Sequence, residues 1–295
     1  MDYSGFEALD VETPRGDVHA RVGGSGPPLL LLHGWPQTQL MWHATAPALA
    51  ERFTVVAADL PGYGASFRPA PSADHVAHSK RALAADLVAA MAALGHATFA
   101  VAGHDRGGRV GYRMALDHPG VVTHLAVLDI VPTAEVWSQA DALFALVYWH
   151  WGWLAQPAPL PERLIAGDPD AFWIVAERIG IKSGDPRFPD DVVAAYRAQL
   201  DDPGAIEAMC EDYRAGATVD RALDDADRGA RTIDCPVRVL WGAAGALPLF
   251  YDDPLALWPP YAPAATGQGV DGAGHFLAED EAAAVAEDLL AFLAR

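Results

Sequence analysis

Residues 99–113 run from Phe99 through Gly103-His104-Asp105-Arg106-Gly107-Gly108-Arg109 to Arg113, and no other stretch restricts the fold as much. An apolar run, Phe99 to Ala102, ends abruptly at Gly103, and a helical pattern begins at once after Asp105. A strand, a sharp turn and a helix in that order form a nucleophile elbow of the type G-x-Nuc-x-G. The turn strains the central residue and leaves no room for side chains beside it, which is why glycine flanks it. The central residue here is Asp105, where serine is usual. A carboxylic acid with an ordinary pKa of about 3.9 is ionised at neutral pH. It needs no base before attacking saturated carbon, with which it forms an ester. The competing reading is an aspartate that caps a helix N-terminus.

The rest of the chain supplies the framework such an elbow requires. Residues 6–11 and 18–23 read as two strands joined by a turn at Pro14-Arg15-Gly16-Asp17. Leu29-Leu30-Leu31-Leu32 and residues 53–60 are solid apolar runs, suited to strands buried on both faces. Residues 99–102, residues 123–131, residues 237–242 and a weaker stretch before Gly272 bring the count of strands to eight. Helical patterns lie at 42–52, 79–94, 107–118 and 281–293, with Gly95 placed as a helix stop. Strands alternating with helices predict an α/β fold with a mostly parallel sheet covered on both faces. From Pro132 to about Thr232 no buried strand is visible, and the segment is helical and aromatic-rich. The expected organisation is a core of residues 1–131 and 233–295 with a helical cap, 132–232, inserted over the carboxyl ends of the strands.

Composition narrows the partners. Twenty Lys and Arg against 39 Asp and Glu leave a formal charge of −19, which disfavours nucleic acid and anionic membranes. Any anionic substrate therefore needs a local positive site. Two cysteines, Cys210 and Cys235, are too few for a disulfide framework. The N-terminal residues carry no secretory pattern and no apolar stretch reaches membrane-spanning length, so a cytoplasmic protein is expected.

In an elbow fold the partners follow in the order nucleophile, acid, histidine. Asp129 lies at the end of the apolar run Leu125-Ala126-Val127-Leu128, and His275 lies in the glycine-rich loop Gly272-Ala273-Gly274. A buried carboxylate without a partner is costly, so Asp129 is expected to pair with His275. Taken singly, Asp129 also fits a structural salt bridge and His275 a loop histidine. His33-Gly34-Trp35 follows the third strand, where this fold supplies an oxyanion-binding amide. The N–H groups of Trp35 and Arg106 are the expected donors. Arg106 and Arg109 stand one turn apart at a helix N-terminus, a place that disfavours cations. That cost makes sense if both guanidinium forks hold a small carboxylate. A solvated face or a salt bridge to acidic neighbours is the alternative.

Four stretches together resemble the fluoroacetate dehalogenases of the α/β-hydrolase superfamily. They are Gly103-His104-Asp105-Arg106-Gly107-Gly108-Arg109, Tyr148-Trp149-His150-Trp151, Cys210-Glu211-Asp212-Tyr213-Arg214 and Gly274-His275-Phe276. The resemblance covers nearly the whole chain. It implies the α/β-hydrolase fold with an inserted cap, Asp105 as nucleophile, His275 as base and Asp129 as its orienting acid. It further implies that Arg106 and Arg109 grip the substrate carboxylate and that His150, Trp151 and Tyr213 hold the departing halide. No metal or organic cofactor is implied, and a homodimer is. The implied reaction is hydrolysis of a small 2-haloacid to the 2-hydroxy acid through an aspartyl ester. Epoxide hydrolases and haloalkane dehalogenases of the same fold share the three catalytic residue types, and a non-catalytic receptor can retain them. Trp35 stands where such enzymes often carry Phe, and Gly152 and the segment 177–189 depart from their pattern in ways that bear on the pocket and its access.

Overall fold

The computed structural model describes residue 3 and residues 5–294. Eight strands form a single sheet: β1 Phe6–Thr13, β2 Gly16–Gly24, β3 Pro28–Leu32, β4 Thr54–Ala58, β5 Phe99–His104, β6 Val122–Leu128, β7 Val237–Gly242 and β8 Thr266–Val270. Their order is β1-β2-β4-β3-β5-β6-β7-β8. The first hairpin and the β2–β4 pair are antiparallel, and every other pair is parallel. This is the expected mostly parallel α/β sheet. Its central strands are apolar because helices cover both faces. Leu29 to Leu32 are all buried, as are residues 99–104 of β5. Each fully buried leucine contributes about 1.5–3 kcal/mol.

Three helices pack along the first half of the chain: α1 Ala46–Ala50, α2 Lys80–Ala93 and α3 Arg106–Asp117. Ser79 caps α2, accepting the Ala82 N–H, and Gly95 follows it with φ +89°. The helix expected over 42–52 is instead a 3-10 turn, Gln39–Trp42, followed by the single turn of α1. Pro47, near the start of α1, lacks the N–H that a continuous helix would use. The strand expected to reach Val131 ends at Leu128, because Asp129 takes a positive φ of 53°.

Between β6 and β7 the described residues contain helices and no strand. They are α4 Thr133–Gln139, α5 Ala142–Val147, α6 Trp149–Leu154, α7 Leu160–Gly167, α8 Pro169–Ile179, α9 Asp190–Ala198, α10 Pro203–Ala215 and α11 Arg221–Asp227. Polar contacts tie this layer to the sheet layer. The buried Lys80 ammonium, at the start of α2, lies 2.7 Å from Asp212 Oδ1 on α10 and 3.1 Å from Asp220 Oδ2. No helix among the described residues is long and apolar enough to cross a membrane.

Candidate active site

Asp105 sits between β5 and α3 with φ 42° and ψ −113°, a conformation that costs a non-glycine residue energy and persists only where its surroundings enforce it. The surroundings are explicit. Its N–H donates to Leu128 O at 3.1 Å, and its carbonyl accepts the Arg109 N–H at 3.0 Å. The Gly107 N–H donates to His33 O at 2.9 Å. A Cβ on Gly103 would lie 2.5 Å from Gly107 O, and one on Gly107 would lie 2.5 Å from His33 O. Those approaches explain the flanking glycines and establish the elbow over the simple helix cap. Asp105 makes no side-chain capping hydrogen bond to the helix.

The second and third residues converge as their order in the chain implies. His275 Nδ1 lies 2.6 Å from Asp129 Oδ2. The other oxygen, Oδ1, accepts the Gly242 N–H at 3.0 Å, and the Asp129 N–H donates to Leu240 O at 2.7 Å. The acid is thus anchored to the end of β7, and one oxygen remains for the imidazole. Burial alone would lower the His275 pKa. The Asp129 hydrogen bond and the charges of Asp129 and Asp105 outweigh it and hold the pKa above its ordinary value.

Behind this pair stands a residue without an assigned role in the sequence reading. His104 donates from Nε2 to His275 O at 2.8 Å, and the two rings lie 4.7 Å apart. Burial, and then the neighbouring His275, push the His104 pKa down to about 3. It therefore supports the His275 loop as a neutral ring.

The Trp35 N–H donates to Asp105 Oδ2 at 3.1 Å, where an oxyanion donor was expected. His33 keeps this turn rigid. Its Nε2 accepts the Leu60 N–H at 3.0 Å, which leaves Nδ1–H to donate to Gly34 O. The Trp35 indole reaches toward the helical layer, where Nε1 lies 2.6 Å from Met209 Sδ and the ring stacks on His150 at 5.3 Å.

The arginine pair divides. Both guanidinium groups are buried, with 1% of Arg106 and 3% of Arg109 exposed, which removes the solvated-face reading. Arg109 lines the cavity at Asp105, held there by Nη1 donating at 3.0 Å to both Val131 O and Thr133 Oγ1. Arg106 is not among the lining residues. Its guanidinium carbon lies 3.6 Å from the centroid of the Tyr213 ring and 4.7 Å from that of Trp151, and its Nε lies 3.4 Å from Asp212 Oδ2. Arg106 Nη2 and Arg109 Nε are buried without hydrogen-bond partners among the described residues. Burial opposes ionisation of Asp105. The charges of Arg106, His275 and Arg109 prevail and hold its carboxyl well below the usual range.

The cavity itself is about 20 Å³ and is walled by Asp105, His275, Arg109, His150, Trp151 and Tyr213, with further aromatic and aliphatic side chains around them. His150, Trp151 and Tyr213 thus share the cavity with the Asp105 carboxylate. Burial and the Arg106 charge push the His150 pKa down to about 3, so its imidazole is neutral. Burial raises the Tyr213 pKa, so the phenol keeps its proton. Two of the lining tyrosines carry no role assigned from the sequence. Tyr148 was within reach, since it adjoins His150 in the Tyr-Trp-His-Trp run. Tyr251 follows β7 in a segment with no motif to mark it.

The fold, the elbow and the acid–histidine pair define the class: the chain belongs to the α/β-hydrolase family and is a hydrolase. A family model described as alpha/beta hydrolase fold matches residues 27–165. The chain is 46% identical over 258 residues to a fluoroacetate dehalogenase from Burkholderia sp, covering 88% of this chain and 84% of that one. It is 30% identical to a soluble epoxide hydrolase from Corynebacterium sp. (strain C12), covering 94% and 93% of the two chains. The crystal structure of an alpha/beta hydrolase from Nostoc sp PCC 7120 superposes with a TM-score of 0.93 at 44% identity, covering 98% of both chains.

Proposed function

We propose that this hydrolase removes halide from small 2-haloacids such as fluoroacetate, giving the 2-hydroxy acid through an ester on Asp105. The observation that carries this reading is the buried Arg109 guanidinium on the wall of a 20 Å³ cavity that also holds the Asp105 carboxylate. A cation taken out of water beside an apolar aromatic wall is matched by an anionic substrate of a few heavy atoms. The 46% identity to a fluoroacetate dehalogenase supports the same substrate class.

The chemistry divides into two steps. Because the Trp35 N–H occupies Oδ2 of Asp105, Oδ1 is the oxygen that attacks the α-carbon. The carbon–halogen bond breaks as the ester bond forms, and the halide leaves with the bonding pair. Fluoride is a poor leaving group, and neutral donors from His150, Trp151 and Tyr213 stabilise its charge in a closed site. In the second step His275 takes a proton from water, and the resulting hydroxide attacks the ester carbonyl. The oxyanion then develops on Oδ2, already facing the Trp35 N–H. Its collapse breaks the bond between the Asp105 carboxyl carbon and the ester oxygen. The departing alkoxide takes the proton held by His275, and the Asp105 carboxylate is restored.

The first step also prepares the base. The negative charge of Asp105 is one cause of the raised His275 pKa. Esterification removes that charge, which lowers the pKa and favours the neutral imidazole at the moment it must accept a proton. Arg106, behind Tyr213, adds positive potential, and a carboxylate held by Arg109 draws on both.

A second reading, epoxide hydrolysis, has its own support: Tyr148 and Tyr213 both line the cavity, and two tyrosines can activate an epoxide oxygen. The deciding experiment is ion-selective detection of halide from fluoroacetate and chloroacetate, run beside diol formation from a small epoxide. Halide release with the hydroxy acid as co-product is expected. Diol formation without halide release would overturn the dehalogenase reading.

A further inference from the structure

A much larger groove of about 410 Å³ adjoins the catalytic cavity, and Tyr148, Ile179 and His275 line both. The groove's charged groups are Arg178, Lys182, Arg187 and Asp280. Arg187 is already compensated, with Nη2 2.7 Å from Asp185 Oδ2 and Nη1 3.2 Å from Asp280 Oδ1. Arg178 and Lys182 are exposed and have no ion pair among the described residues. Two exposed cations in one groove stand out on a chain with 39 acidic and 20 basic residues and a net charge of −19, even with Asp185 and Asp280 within electrostatic reach of Lys182. Both fall in the stretch 177–189, which takes no part in the chemistry above.

We propose that this groove is the entrance to the active site and that Arg178 and Lys182 are specificity-determining residues that gather small anions at its mouth. The inference rests on the reading of the substrate as a carboxylate. A cleft with an excess of one sign of charge, here three cations against Asp280, raises the local concentration of the opposite ion by roughly 10-fold or more at low ionic strength. The effect fades as the screening length shrinks to about 8 Å at physiological salt. It acts on kcat/KM, which is measured from free substrate, because the two cations attract the anion outside the cavity and on its way in. It leaves kcat alone, since neither residue lines the catalytic cavity.

The test is steady-state kinetics with chloroacetate on the full chain, wild type against R178Q/K182Q and R178E/K182E, from about 10 mM to 0.3 M salt, a range over which the screening length falls severalfold. The expected result at low salt is a kcat/KM about 3- to 10-fold lower in R178Q/K182Q, lower again in R178E/K182E, and an unchanged kcat. Wild-type kcat/KM should fall with salt, that of the glutamine pair should respond less, and that of the glutamate pair should rise. Variants with wild-type kcat/KM and wild-type salt dependence would overturn the entrance proposal while leaving the dehalogenase reading standing. So would a drop in kcat with an unaltered salt dependence, which marks the residues as structural. Absence of halide release from any haloacetate by the wild type would remove the substrate reading, and the anion-gathering role with it.

Discussion

The Trp35 N–H donates to Oδ2 of Asp105 across 70 residues of chain, and this one contact distinguishes the two oxygens of the nucleophile. The contact requires the Gly34 backbone to lie against the elbow: a Cβ at Gly34 would sit 2.5 Å from Asp105 Cβ and 2.9 Å from His104 Nδ1. Gly34→Ala must therefore push strand β3 and the elbow apart. We expect a loss of about 1–3 kcal/mol in stability, read by denaturant unfolding, with a kcat reduced by the displaced donor roughly 10- to 100-fold or more.

His275→Asn separates the two chemical steps. Alkylation of Asp105 needs no base, whereas hydrolysis of the ester does. The variant incubated with chloroacetate should accumulate protein heavier by one carboxymethyl group, and peptide mass spectrometry should place it on Asp105. Unmodified protein after prolonged incubation would contradict the aspartyl-ester route.

Asp129→Asn tests the cause of the raised His275 pKa. Hydrolysis requires neutral imidazole, so activity rises with pH through that pKa and is lost on the acid side. Removing the Asp129 charge removes a raising influence, and the acid limb of the kcat profile should move to lower pH. The plateau should fall about 10³-fold or more, because the ring also loses its orienting acceptor. An unmoved acid limb would mean that another group governs it.

Arg109→Lys keeps the charge and discards the fork. The guanidinium is held at 3.0 Å from both Val131 O and Thr133 Oγ1 while facing the cavity, and an ammonium cannot hold these and a carboxylate together. Catalytic efficiency for haloacetates should drop about 100-fold, mainly through KM, corresponding to one lost charge-assisted hydrogen-bond pair. Tight retention of haloacetate by the lysine variant would count against Arg109 as the carboxylate-binding group.

Lys80→Met leaves Asp212 and Asp220 buried and without their ammonium partner. Breaking a buried pair on one side costs about 3–5 kcal/mol, and chemical denaturation should show a loss of that size. Because Asp212 also touches Arg106 at 3.4 Å, substrate affinity should fall as well.

What the linear chain determined by itself was everything written in local pattern. Apolar runs bounded by turns announced the inner strands β3 to β7, because a strand buried on both faces admits little else, and a turn signal announced the β1–β2 hairpin. The glycines around Asp105 announced the elbow, because close backbone approach excludes a Cβ. The order Asp105, Asp129, His275 followed from strand ends on one edge of a parallel sheet. Tertiary structure decided the matters that depend on which side of a ring or a wall a group ends up on. Arg106 and Arg109 are equivalent by spacing, yet Arg106 packs on the Tyr213 ring and beside Asp212, both brought in on α10, whereas Val131 O and Thr133 anchor Arg109. The support of His275 by His104, the pairing of Lys80 with Asp212 and the groove beside Arg178 and Lys182 likewise join residues far apart in the chain. Their contacts come from packing between layers, and no local periodicity encodes the distance between two layers.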